Sequence, residues 1–153
     1  MKAEIKRLQA QLGYANDSAS FYRHLQSDEF YITDKAEVLR RYEEIKTVAY
    51  ANAGKLFKDT DIADIAFMEW ANADRFTPPG RYEPVDNNPN GVAVFHFNFF
   101  GNRHNSRVMD WMFIHEVVPG HHYQWDMFTR LPEQPDFKRH FSYPVNFEGW
   151  AAY

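Results

Sequence analysis

The sequence predicts a mainly helical α+β fold in which a strand leads into a histidine-rich helix. Three observations carry the prediction. Apolar residues recur at helical spacing near the N-terminus and again from residue 34 to residue 54. The stretch 92–99 alternates as a strand does. Finally, His115-Glu116-Val117-Val118-Pro119-Gly120-His121-His122 sets three imidazoles and a carboxylate directly after the apolar run Trp111, Met112, Phe113, Ile114.

In chain order, Lys2 to Leu12 carries Ile5, Leu8 and Leu12 on one face with charges between them, an amphipathic helix that Gly13 ends. Asp17 or Ser18 can cap a short second helix bearing Phe21, Tyr22 and Leu25. Asp34 followed by Glu37 resembles a capping box for a helix whose apolar face is Leu39, Tyr42, Ile45, Ala49 and Ala53, with Gly54 as its stop. Ile62 to Trp70 reads as a strand weakened by alanines. Thr77-Pro78-Pro79-Gly80 and Asp86-Asn87-Asn88-Pro89-Asn90-Gly91 read as turns. In the strand Val92 to Phe99, Val92, Val94, His96 and Asn98 point one way and Ala93, Phe95, Phe97 and Phe99 the other. Ser106 can cap the histidine-rich helix, which should run to about Arg130 before Leu131-Pro132 breaks it. Pro135 and Pro144 bracket a connecting segment, and Phe147 to Tyr153 reads as the first turns of another helix.

These elements fit a single partial domain over 1–153: a helical segment (1–55), a loop and strand segment (56–105), and a segment with the histidine-rich helix and the start of a further one (106–153). The chain stops in mid-pattern at Glu148-Gly149-Trp150-Ala151-Ala152-Tyr153, as a piece of a longer protein would. Its composition, 44% hydrophobic and 25% charged, is that of a globular protein, and the 18% aromatic content favours aromatic-lined clefts. With a net charge of −4 and no Lys/Arg cluster, nothing points to a nucleic-acid partner. The absence of cysteine excludes disulfides and thiolate metal sites. No apolar run has the length of a membrane span and no signal-peptide core opens the chain, so a soluble product is expected.

A histidine followed at once by glutamate, with another histidine close by, suits a zinc-dependent hydrolase, but the spacing is not that of HExxH. Histidines four apart lie within about 40° on a helix, whereas His115 and His121, six apart, would be roughly 120° out of line. His122 would return to the face but sit about 10 Å up the axis. Pro119 changes the geometry, because it lacks the N–H for the His115 carbonyl and its ring clashes there. Gly120 can take backbone angles closed to other residues. Looping out these two residues restores an effective spacing of four and brings His121 beside His115. Glu116 keeps the position of the general base that takes a proton from the attacking water.

A third ligand is needed, and Glu148, at the start of a later helix, is the best candidate. Asp126, on the same helix as His121, and Asp136, in a Pro-flanked loop, suit less. His96 and Asn98 can line the cleft or bind substrate backbone, and His104 can support the ligands. Taken singly, most of these residues have an ordinary reading. Glu148 is a surface or capping residue, His96 a hydrogen-bonded strand histidine, His24 and His140 solvent-exposed, and Trp111 to Ile114 core. His115, Glu116 and His121 beside an obligatory helix break make poor core and favour a metal site.

His115-Glu116-x-x-Pro119-Gly120-His121-His122-x-Gln124, followed by Glu148-Gly149-Trp150-Ala151-x-Tyr153, resembles the HExxPGHxxQ and EGWAxY patterns of the DUF885 family, bacterial proteins placed among the gluzincin-like metallopeptidases. Weaker likeness runs through the N-terminal helix, the Asp34–Ile45 helix, Leu56-Phe57, Tyr82 with Pro84, and the Gly91–Asn98 strand. The resemblance implies a zincin-like fold and zinc (Zn2+) bound by His115, His121 and Glu148, with Glu116 as general base. It also implies that the chain is a fragment of a longer protein whose remaining cleft lies downstream, and it leaves periplasmic, secreted and cytoplasmic placement open.

The expected activity is therefore hydrolysis of a peptide substrate, with His122, Gln124, Asn98, His96 and Tyr153 as substrate-binding or supporting residues. Two competing readings stand beside it. One is a non-catalytic metal- or peptide-binding module, inactive as a fragment. The other is a two-histidine-one-carboxylate iron site, in which Glu116 would have no evident task.

Overall fold

The computed structural model describes residues 2–87, 91–132, 135 and 143–153. The chain divides into two compact units, Met1–Tyr31 and Ile32–Tyr153. In the first, α1 (Lys2–Gln11) gives way at Gly13, which takes φ +83°, and α2 (Ser18–His24) starts where the Asp17 carboxylate accepts the Ser20 N–H at 3.0 Å. Phe21 is buried, as expected of the face of α2, whereas Ile5 and Leu8 of α1 and Leu12 just after it are exposed. His24 is half-buried, stacked on Tyr14 and paired with Glu29, rather than free in solvent.

The second unit is built on α3 (Lys35–Ala53) and a three-stranded sheet. Asp34 caps α3 by accepting the Ala36 N–H at 2.9 Å. Glu37 turns instead to Arg40 and Arg41 on the exposed face, so only half of the expected capping box forms. The sheet consists of β1 (Ile65–Glu69), β2 (Gly80–Glu83) and β3 (Ala93–Phe97). β3 is central, parallel to β1 with Ile65 opposite Ala93, and antiparallel to β2 with Gly80 opposite Phe97. Being central, it is buried nearly all round, which the alternating sequence did not foretell.

Tyr42 of α3 fills the space under the sheet, its ring 4.8 Å from that of Phe95 and stacked on Phe67 at 5.6 Å. Its hydroxyl bonds Nε2 of the buried His104 at 2.8 Å, while His104 Nδ1 bonds the Asn98 carbonyl at 2.8 Å. This core, completed by Val38, Phe97, Met109, Met112 and Phe113, is the platform on which the histidine-rich segment rests.

That segment is two helices rather than one. A 3-10 turn, Ser106–Val108, capped by Asn105 rather than by Ser106, leads into α4 (Met109–Glu116). The chain leaves the helix at Val117, crosses a cis Val118–Pro119 peptide bond, and starts α5 (His121–Thr129) after Gly120. Met112 and Phe113 of α4 are core, but Trp111 and Ile114 are 52% and 47% exposed. Successive residues stand about 100° apart on a helix, so a run of four apolar residues cannot face one core. The last helix, α6 (Pro144–Ala152), starts three residues before the expected Phe147, with Pro144 in the first turn, where a missing N–H costs nothing. Asp136, His140 and the turn residues Asn88, Pro89 and Asn90 lie outside the described residues. No helix of the described residues is long and apolar enough to cross a membrane.

Candidate metal centre

Val117 and Val118, 0% and 2% exposed, anchor the link between α4 and α5 in the core. Gly120 takes φ −74° and ψ −136° where the turn closes. The turn uses its missing side chain: a Cβ at this position would lie 1.6 Å from the His115 carbonyl oxygen. The end of α4 and the start of α5 therefore pass closer together than any other residue permits. The Tyr123 N–H then reaches the Val117 carbonyl at 3.0 Å, locking the second helix to the end of the first.

This turn brings the two imidazoles together, with ring centroids 4.8 Å apart and planes nearly perpendicular. Glu148 comes from α6. One of its carboxylate oxygens lies 3.4 Å from His115 Nε2 and 3.6 Å from His121 Nε2. One ligand atom from each of the three residues can be chosen so that all lie within 4.8 Å of one another, the one such group of three among the described residues. Two donors each about 2.1 Å from a tetrahedral zinc stand about 3.4 Å apart, so the two separations from Glu148 fit edges of such a site. A neutral-nitrogen pair with one carboxylate is also a donor set that zinc accepts.

α6 is held in place by aromatic contacts. Phe147 stacks on the His121 ring at 4.1 Å, almost parallel. Trp150 stacks on Tyr123 at 6.3 Å, packs near Phe57, and donates its indole N–H to the Pro119 carbonyl at 2.7 Å. His121 is buried, and burial, reinforced by the neighbouring His115 and opposed by Glu148, keeps it below its ordinary pKa, hence neutral and able to ligate. Its Nδ1 finds no hydrogen-bond partner among the described residues.

Glu116 points to the sheet. Its carboxylate accepts the backbone N–H of Tyr82 at 2.8 Å. Burial pushes this carboxyl above its usual range; the Tyr82 N–H, His115 and Arg81 pull it down, while Glu148 pushes in the same direction as burial. A half-buried carboxylate with a raised proton affinity beside the histidine–glutamate group can accept and return a proton.

The other expected site residues lie elsewhere. His122 is buried, with Nε2 2.7 Å from the Ala63 carbonyl and Nδ1 3.4 Å from the Tyr82 hydroxyl. Asp126 accepts the Ala63 N–H at 2.9 Å and pairs with Arg130. Gln124, half-buried, donates its N–H to the Gly120 carbonyl, and its side-chain oxygen has no partner among the described residues. His96 pairs with Glu83 across β3 and β2, and Asn98 ties down the 74–77 turn through Asp74 and Thr77. Tyr153 is exposed beyond α6. Sequence reasoning missed Phe147 and Trp150 as supports of the site, and it used Tyr82 only as a point of likeness. Trp150 stood within the EGWAxY pattern that could have found it.

A family profile described as "Bacterial protein of unknown function (DUF885)" matches residues 1–153. No curated protein sequence matches the chain. Among solved structures, the chain resembles the crystal structure described as "the putative lipoprotein from Colwellia psychrerythraea", with a TM-score of 0.78 and 22% identity. The match covers 97% of this chain and 27% of that one, so the chain spans about a quarter of the length of the protein it resembles in fold.

Proposed function

The chain belongs to the DUF885 family, and we propose that it carries the core of a zinc-dependent peptide-bond hydrolase. The observation that carries the reading is the meeting of His115, His121 and Glu148, from three separate helices, with ligand atoms within 4.8 Å of one another and Glu116 next to the first ligand. Zinc, when bound, supplies a Lewis acid that polarises the peptide carbonyl and makes water a better nucleophile at neutral pH.

The chain's own residues do the rest. His115, His121 and Glu148 hold the ion, and the Pro119-Gly120 turn sets the approach of the two histidines. Glu116 takes a proton from the attacking water and returns it to the departing amine. Its contact with the Tyr82 N–H keeps the carboxylate oriented while burial strengthens its grip on that proton.

The test is Glu116→Gln in the intact protein, with zinc content and peptide hydrolysis measured together. Zinc should stay at wild-type stoichiometry while hydrolysis is lost. Hydrolysis at the wild-type rate would remove Glu116 as the base. A non-catalytic metal module predicts zinc with no turnover in the wild type.

A further inference from the structure

We infer that Tyr82 is a positioning residue for this site, tying both the base Glu116 and the helix that carries His121 to one strand; the inference rests on the hydrolase reading above. The first half of the tie is a backbone contact. β2 runs alongside α4, and a Cβ at Gly80 would lie 2.5 Å from Phe95 Cζ and 2.8 Å from Met112 Cγ, so the bare strand backbone there packs directly against the Met112 side chain of the helix. Two residues along the strand, Tyr82 donates its N–H to Glu116, one turn along the helix from Met112. Two strand residues advance about 6.6 Å and four helical residues about 6 Å, so the two contacts recur in step. Alternate residues of an antiparallel strand turn their amides away from the partner strand, and Tyr82 is one of these. The donor that meets the carboxylate is thus fixed backbone rather than a rotatable side chain, and its acceptor is an ionisable group, which makes the bond strong.

The second half runs through the phenol. The Ala63 carbonyl can only accept, so the proton of neutral His122 sits on Nε2, and Nδ1 accepts from the Tyr82 hydroxyl. One turn on, Asp126 accepts the N–H of the same Ala63. α5 therefore grips both polar groups of one residue with side chains four apart, and this fixes its rotation about its own axis. His121, the residue before His122, lies about 100° around that axis, on the side where His115 and Glu148 meet it. Strand β2 consequently sets the base from its main chain and steadies the ligand-bearing helix from its side chain.

The experiment separates these halves in the intact protein. Replacing tyrosine at 82 by its α-hydroxy acid turns the amide into an ester, removing the N–H while keeping the ring and hydroxyl. This variant should lose about 10²-fold in kcat on a fluorogenic peptide substrate, with KM and zinc affinity (by chelator competition) within about twofold of wild type. Tyr82→Phe, which keeps the N–H and removes only the hydroxyl that meets His122, should weaken zinc about 10-fold. An ester variant with wild-type kcat, or a Tyr82→Phe variant that binds zinc as tightly as wild type, overturns the inference while leaving the hydrolase reading intact. A wild type that neither binds zinc nor cleaves peptides overturns both.

Discussion

Trp150 and Pro119 are joined by a 2.7 Å hydrogen bond from the indole N–H to the proline carbonyl. The bond links the helix that supplies Glu148 to the turn that separates His115 from His121. Glu148 is itself 61% exposed, so its place owes little to burial of its own side chain. The anchoring comes from Trp150 and from Phe147, stacked on His121.

Trp150→Phe keeps the ring stacking and removes the donor. Zinc affinity, measured by chelator competition, should fall about 10-fold, as for other supports of metal ligands, while the far-UV circular dichroism spectrum stays unchanged. Unchanged affinity would show that the stack alone holds α6.

Gly120→Ala places a methyl group 1.6 Å from the His115 carbonyl oxygen, and neither helix end can yield without moving a ligand. The variant should lose about 3 kcal/mol or more of stability in urea titrations together with zinc binding. Gly149→Ala is the control, since a Cβ there meets nothing within 4 Å. Equal stability for the two variants would contradict the account of the turn.

How far the sequence foretold the fold follows from the kind of contact involved. The span of α3 was legible because Asp34, the apolar spacing and Gly54 act locally. The trio of His115, His121 and Glu148 was legible because zinc restricts ligand type and spacing, and Pro119 forces a break. The role of Tyr82 was not, because its partner is reached through a backbone N–H that every residue except proline possesses. Trp111 and Ile114 were misread because an unbroken apolar run hides the helical period. Gly120 was legible as a break in the helix, whereas the close approach of the His115 carbonyl that also excludes a side chain there exists only in the folded turn.

pH should act on stability mainly through buried histidines. Burial lowers His104, opposed by its bond to the Asn98 carbonyl, and lowers His122 and His121 as well. The unfolded chain, with histidines near 6.5, then binds more protons than the folded one just below that value. Their contribution is complete above about pH 6.5 and is lost as pH falls toward the depressed folded values. Glu116, raised by burial, acts in the opposite sense: the folded state holds its proton to higher pH, a contribution present at low pH and lost as pH rises through the raised value. In the metal-free protein, urea midpoints should therefore drop between pH 7 and pH 5.5, and His104→Gln should flatten part of that slope. A midpoint that rises over this range would contradict the sign.

The most direct measurement is the metal content of the intact protein purified without chelator, beside His121→Ala and Glu148→Ala. The account predicts one zinc per wild-type chain, and substoichiometric zinc in both variants with their helical content retained. Wild-type protein that carries no zinc, or variants that keep a full equivalent, would contradict a zinc site built from His115, His121 and Glu148.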